Sequence, residues 1–194
     1  MEAAEAREHL QWVDGILRAA DRSLHLAPST LVVWGLFGTI VNAVHQARAA
    51  GLAFPADRYF HLPLMLVAIA VTVWSGVRRS GGRQTLLDSY VGTVFSVVFG
   101  VILIVNFTAQ HRVVPAQGMA VFWAAGLSIA MLIVGLQASR VLLAGGLALL
   151  AANVAACFLL PWFDGLQALG WTLGFVVPGI VLALDESRGR AAAV

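Results

Sequence analysis

The longest uncharged run of the chain, Ser89 to His111, constrains the fold more than any other feature. It contains no Asp, Glu, Lys or Arg and turns polar only in its last turns. A helix rises about 1.5 Å per residue, so about 20 apolar residues are enough to cross the hydrocarbon core of a bilayer. The run therefore predicts a transmembrane helix.

Six hydrophobic stretches of similar length follow one another, at 30–47, 59–77, 89–110, 116–137, 140–161 and 165–184. The whole chain is 60% hydrophobic and only 11% charged, whereas charged residues make up about a quarter of soluble domains. We predict an all-α polytopic membrane protein whose bundle of six transmembrane helices occupies residues 29–186. Residues 187–194 are predicted to be a short cytoplasmic tail.

Residues 1–28 have a different pattern, in which Leu10, Val13 and Leu17 recur at steps of three and four residues. This spacing is typical of an amphipathic helix. We predict a cytoplasmic helix that lies in the membrane interface, and docking onto a partner is the alternative interpretation.

Arginine predicts the orientation, because all twelve basic residues of the chain are arginine. Nine of them fall on one predicted side of the membrane and three on the other, the three being Arg48, Arg58 and Arg112. The positive-inside rule then places both termini in the cytoplasm. The Arg, Ala and Gly content indicates a GC-rich coding bias, and we predict that the protein lies in a bacterial cytoplasmic (inner) membrane. The arginines are accounted for by orientation, so no nucleic-acid partner is predicted.

Short connections predict three consecutive antiparallel hairpins, which pair helix 1 with 2, 3 with 4 and 5 with 6. Small residues at four-residue steps let helix backbones approach closely in membranes. Gly170 and Gly174 form such a pattern, and we expect it to serve packing within the chain. Pro178 is expected to kink the sixth helix.

Polar residues on the first, third and fifth helices share one face with small residues, and we expect these faces to line the interior of the bundle. Because the three helices run in the same direction, their amides would lie in the same half of the membrane. In one interpretation they only bond to neighbouring helices. In the other they line a cavity for a neutral polar molecule or a lipid headgroup, since an amide both donates and accepts. The candidate ligand-binding residues are Asn42, His45, Asn106, Gln110 and Asn153.

Histidine provides a haem alternative, in which His45 and His111 would be axial ligands with His61 near the same side. His61 and His111, however, lie at helix boundaries, where histidines are usually solvated. The single cysteine, Cys157, allows no disulfide within the chain and no CxxC motif. We therefore predict no cofactor and no metal.

The middle of each predicted span lacks the ionisable residues that pumps and ion-coupled carriers use. The chain also has no HExxH, GxSxG or P-loop sequence. We predict a non-enzymatic protein that is an accessory or regulatory subunit of a larger membrane assembly, in contact with membrane lipid and a membrane-protein partner. The first alternative is a small carrier or channel for a neutral polar or lipid-like solute. The second alternative is a b-haem electron-transfer subunit. Homo-oligomerisation is possible with each of these functions.

Overall fold

The computed structural model describes residues 28–54, 59–79, 86–109 and 116–191. Within these ranges every regular element is helical and no strand occurs, which confirms the all-α prediction. The elements are α1 (Pro28–Ala49), α2 (His61–Arg79), α3 (Leu86–Ala109), α4 (Ala116–Ala138), α5 (Arg140–Phe158), α6 (Phe163–Trp171) and α7 (Val177–Ala191). A 3-10 turn at Leu160–Trp162 precedes α6, and a π-helical turn at Thr172–Val176 joins α6 to α7. We call α6, the π turn and α7 together the C-terminal rod.

Within the described ranges, five segments are long and apolar enough to cross a membrane, which makes this a membrane-embedded helical protein. They are Pro28–Ala49, His61–Arg78, Gln117–Gln137, Arg140–Phe158 and Leu160–Arg188. Helix α3 contributes a shorter apolar run, Tyr90–Ile102. The predicted amphipathic helix falls on residues 1–28, nearly all of which lie outside the described residues.

The helices pack mainly in the order α2, α1, C-terminal rod, α5, α4, α3. The rod lies between α1 and α5, so the first and last helical segments of the bundle are in extensive contact. The hairpin prediction did not include this contact, because it considered only helices that are consecutive along the chain.

Glycine allows α1 to approach the rod closely. A Cβ on Gly35 would lie 2.8 Å from the backbone nitrogen of Val176, and one on Gly179 would lie 2.9 Å from the carbonyl oxygen of Pro28. Gly38 lies under the indole ring of Trp171, which stacks on Phe175 at 5.2 Å between centroids. Both Gly35 and Gly38 are buried, as their shared face predicts. The neighbour that covers them is the rod.

The α5–rod interface uses the predicted small residues. A Cβ on Gly170 would lie 2.9 Å from the Cβ of Ala152, and one on Gly174 would lie 2.8 Å from the Cβ of Leu149. This confirms that the Gly170 and Gly174 pattern serves contacts within the chain. Apolar side chains fill the space between α4, α5 and the rod, among them Met131, Leu142, Leu149 and Phe175.

The expected irregularity of the last helix is a π turn just before Pro178. Pro178 has no N–H, so the carbonyl of Gly174 has no donor four residues ahead. The backbone adapts with a wider turn, in which the N–H of Val177 donates to the carbonyl of Thr172. The Gly174 carbonyl oxygen instead faces α5, where it would lie 2.6 Å from a Cβ on Gly145.

Helix α2 is attached to α1 by side-chain hydrogen bonds. The indole N–H of Trp34 donates to Thr72 Oγ1 at 2.9 Å, and the hydroxyls of Thr30 and Ser75 lie 3.1 Å apart. No helix of the described part of the chain covers most of the remaining α2 surface. Its exposed large apolar side chains are Leu62, Leu66, Val67, Ile69, Val73, Trp74 and Val77.

The expected interior face of α3 is wrong for the residues whose side chains are described. Gly92 and Ser96 are exposed, although both are small or polar residues on the face predicted to be buried. Helix α3 packs mainly on α4, and it does so through other residues, such as Ile102, which lies beside Gly126. The small face of α3 consequently points away from the bundle.

Candidate functional site

Five polar residues gather at the end of the bundle where α1 and α5 finish and α6 begins. We call them the polar cluster: Asn42 and His45 of α1, Asn153 of α5, and Asp164 and Gln167 of α6. Asn42, Asn153 and Gln167 are buried, whereas His45 and Asp164 are half-buried. The cluster is therefore polar to its core and partly accessible at its rim.

Asn153 and Gln167 form the buried centre of the cluster and are 3% and 1% exposed. The Asn153 amide nitrogen donates to the carbonyl oxygen of Val121 at 3.2 Å. The Gln167 amide nitrogen donates to Asn153 Oδ1 at 2.5 Å. These two bonds link α4, α5 and α6 in one polar chain, which ends at Gln167.

The direction of this chain follows from its first acceptor. A carbonyl oxygen only accepts, so Val121 requires the nitrogen end of the Asn153 amide. Asn153 then presents its oxygen to Gln167, which must donate. Gln167 Oε1 is left over, and it is buried without a hydrogen-bond partner among the described residues. Since nearly all buried polar atoms are satisfied in folded proteins, this oxygen marks a place for a donor.

Asn42 lies on the α1 face that the rod covers, one turn after Gly38. It is 9% exposed, and its amide nitrogen donates to the Gly38 carbonyl oxygen at 2.7 Å. Asn42 and Asn153 belong to helices that flank the rod on two sides. Both reach the same end of the bundle, with α6 between their helices.

His45 and Asp164 are the ionisable residues of the cluster and lie at its rim. His45 lies one turn beyond Asn42 on α1 and is near Asp164. Asp164 is in the first turn of α6, where the helix dipole favours an acidic group.

Gln46 fastens this end of α1 to the start of the rod. Its amide nitrogen donates to the Pro161 carbonyl oxygen at 3.1 Å, and its oxygen accepts from the Gly165 N–H at 2.9 Å. One amide thereby satisfies two backbone groups at a helix start, where the first N–H groups have no partner within the helix. These two bonds hold the start of α6 against the end of α1 that carries His45.

The remaining predicted site residues are placed less completely. Asn106 belongs to α3, but its side chain is not among those described, and Gln110 and His111 lie outside the described residues. His61 is in edge contact with the Phe37 ring at 5.1 Å. Among the residues that the structure describes, no group of three or more His, Cys, Asp or Glu could hold a metal ion.

The sequence interpretation missed Asp164 and Gln167. Asn153 and Gln167 stand equally far from Leu160 in the turn, seven residues before it and seven after it (160 − 153 and 167 − 160). Two antiparallel helices joined by a tight turn bring such residues to the same height. An amide pair placed symmetrically about a turn between two apolar runs was therefore the signal that could have found Gln167.

Comparison of the chain with protein-family models, with curated proteins and with solved structures finds no match.

Proposed function

We propose that this chain is a non-enzymatic accessory or regulatory subunit of a larger membrane assembly. The observation that carries the proposal is the small-residue face of α3, which no other described helix covers, together with the largely uncovered surface of α2. These two faces lie on helices at opposite ends of the packing order, and we refer to them together as the α2–α3 surface, defined by Gly76 of α2 and by Gly92, Ser96 and Gly100 of α3.

Open glycines distinguish the α2–α3 surface from an ordinary lipid-facing surface. A Cβ placed on Gly76, Gly92 or Gly100 would have no atom of the described residues within 4 Å. Gly92, Ser96 and Gly100 recur every four residues, which is the spacing through which helices approach closely in membranes. In the rest of the bundle the same pattern is filled, as by Ala152 against Gly170. A helix of another membrane protein is the occupant that this spacing favours.

The tight packing of the other helices supports a scaffold more than a moving carrier. The amide nitrogens of Asn42, Asn153 and Gln167 are each engaged within the chain. Close backbone contacts join α1 and α5 to the rod. Alternating access requires one group of helices to rock against another, and such motion would disrupt these contacts.

The proposal includes the full membrane topology. It has six transmembrane helices with α3 among them, an amphipathic amino-terminal helix, and both termini in the cytoplasm of a bacterial cell with the chain in its cytoplasmic membrane. Support comes from the alternation of arginines, since Arg78, Arg140 and Arg188 stand at helix ends on one side and Arg48 on the other. The polar cluster would then face away from the cytoplasm.

The experiment is purification of the tagged full chain from its native membrane in mild detergent, with mass spectrometry of what accompanies it. We expect a different membrane protein in stoichiometric amount. A second preparation that lacks residues 2–26 tests whether the amino-terminal helix also contributes to docking, and we expect it to insert normally but recover less partner. Isolation of the chain alone, or only with further copies of itself, would contradict the accessory role.

A further inference from the structure

We propose that the polar cluster binds a primary ammonium group, contributed either by an ethanolamine lipid headgroup or by a small free amine. The inference concerns a ligand and does not depend on the accessory role. It begins from the two acceptors that the cluster offers on one face of α6.

The first acceptor is Gln167 Oε1. Its amide cannot be reversed, because reversal would set its oxygen against Asn153 Oδ1 while the Asn153 nitrogen is held by the Val121 carbonyl. The oxygen is buried, and no residue in the described ranges of the chain donates to it. A ligand that satisfies it must bring a hydrogen-bond donor.

The second acceptor is the carboxyl group of Asp164. Residues three apart on a helix have Cβ atoms about 5–6 Å from one another, so Asp164 and Gln167 can bind a single small group. An amide oxygen and a carboxylate together favour a donor that is also a cation. An ammonium group carries three N–H donors and one positive charge, and it therefore matches both.

The surroundings of these acceptors give the cluster a closed inner end and an open rim. One turn inward, Trp171 lies across Gly38 of α1 and is 7% exposed. At the rim, Asp164 is half-buried and next to His45. The nearest arginine of α1, Arg48, has its guanidinium over the Phe60 ring at 5.4 Å from the centroid. In the proposal a small cation reaches the acceptors from the rim, where Asp164 is half-buried.

The need for an N–H donor selects among cations. Close contacts of α1 and α5 with the rod surround α6, which carries both acceptors. A trimethylammonium group has no N–H to donate to Gln167 Oε1. We therefore expect selectivity for primary ammonium over quaternary ammonium.

The test uses the purified full chain in detergent, with methylammonium chloride against tetramethylammonium chloride at equal ionic strength. The readout is the rise of the thermal unfolding midpoint with ligand concentration, because a ligand that binds the folded state stabilises it by mass action. We expect a saturable rise with methylammonium only. Each variant is compared with its own ligand-free midpoint, so a variant that is less stable remains informative.

Two substitutions remove the acceptors, and one serves as the control. Asp164→Asn keeps the shape of the side chain and removes its charge, and Gln167→Met removes the buried oxygen. We expect each to weaken the apparent affinity for methylammonium by about tenfold or more, the usual scale of a hydrogen bond to a charged group. Asp185→Asn alters an exposed carboxyl group near the opposite end of the rod and should leave the response unchanged.

A second arm distinguishes the two sources of the ammonium group. The chain is placed in nanodiscs of phosphatidylcholine with or without phosphatidylethanolamine. A higher midpoint with ethanolamine lipid, lost in Asp164→Asn, assigns the site to the headgroup. A methylammonium response without a lipid difference assigns it to a free amine. Equal responses to methylammonium and tetramethylammonium, or an unchanged response in Asp164→Asn, would overturn the proposal.

Discussion

Replacing Gly38 by Ala tests whether the first and last helical segments of the bundle are held together as described. The new Cβ would lie 2.5 Å from the Cγ of Trp171, whereas ordinary contact begins near 3.4 Å. Because Cδ2 of the same ring would lie closer still, the indole must move by more than 0.9 Å (3.4 − 2.5). Its movement is restricted, because Trp171 is buried and stacked on Phe175.

The magnitude follows from comparison with Gly92→Ala. Both substitutions gain similar helix propensity, up to about 1 kcal/mol, but the Cβ on residue 92 meets no atom within 4 Å. The difference between the two variants isolates overpacking, which typically costs about 1–3 kcal/mol. Thermal unfolding in detergent should show a midpoint several degrees lower for Gly38→Ala than for Gly92→Ala. Equal midpoints would refute the close contact between Gly38 and Trp171.

Two further predictions concern amides at the polar end. Asn153→Leu removes the hydrogen bonds that Asn153 makes with the Gln167 nitrogen and the Val121 carbonyl, and it should lower the free energy of unfolding by about 1–3 kcal/mol. Adding Gln167→Leu should recover part of that loss, as measured by thermal unfolding. If the effects of the two substitutions simply add, the pairing of Asn153 with Gln167 is contradicted. Gln46→Met removes the hydrogen bonds to the Pro161 carbonyl and the Gly165 N–H, so amide hydrogen exchange should become faster at the start of α6. Unchanged exchange there would show that Gln46 does not hold the rod to α1.

The sequence predicts the all-α membrane class of this fold because a segment that crosses a bilayer must be apolar, long enough to span the hydrocarbon core, and helical so that its backbone groups are hydrogen-bonded. It also predicts which faces of α1 are buried, since Gly35, Gly38 and Asn42 share a face. It does not predict what covers that face. Hairpin reasoning pairs consecutive helices, whereas contacts such as Trp171 over Gly38 and Val176 beside Gly35 show that the rod packs on α1.

The same reasoning failed on α3 for a physical reason. Small residues such as Gly92 and Ser96 permit another helix to pack closely, but they do not determine whether that helix belongs to the same chain. Their exposure in the structure is consistent with a neighbour from elsewhere. Asn42 and Asn153 were identified from sequence, whereas Asp164 and Gln167 required the geometry of the turn between α5 and α6.

The most direct test of the accessory role is the amount of partner recovered with Gly92→Leu relative to Ala144→Leu. Each adds the bulk of a leucine side chain at an exposed small residue, the first on the α2–α3 surface and the second on α5. Quantitative mass spectrometry after purification from native membranes should give normal recovery for Ala144→Leu and about tenfold less for Gly92→Leu, since a lost helix contact of 1–2 kcal/mol changes affinity by about that factor. Equal recovery of the partner with the two variants would contradict docking through the α2–α3 surface.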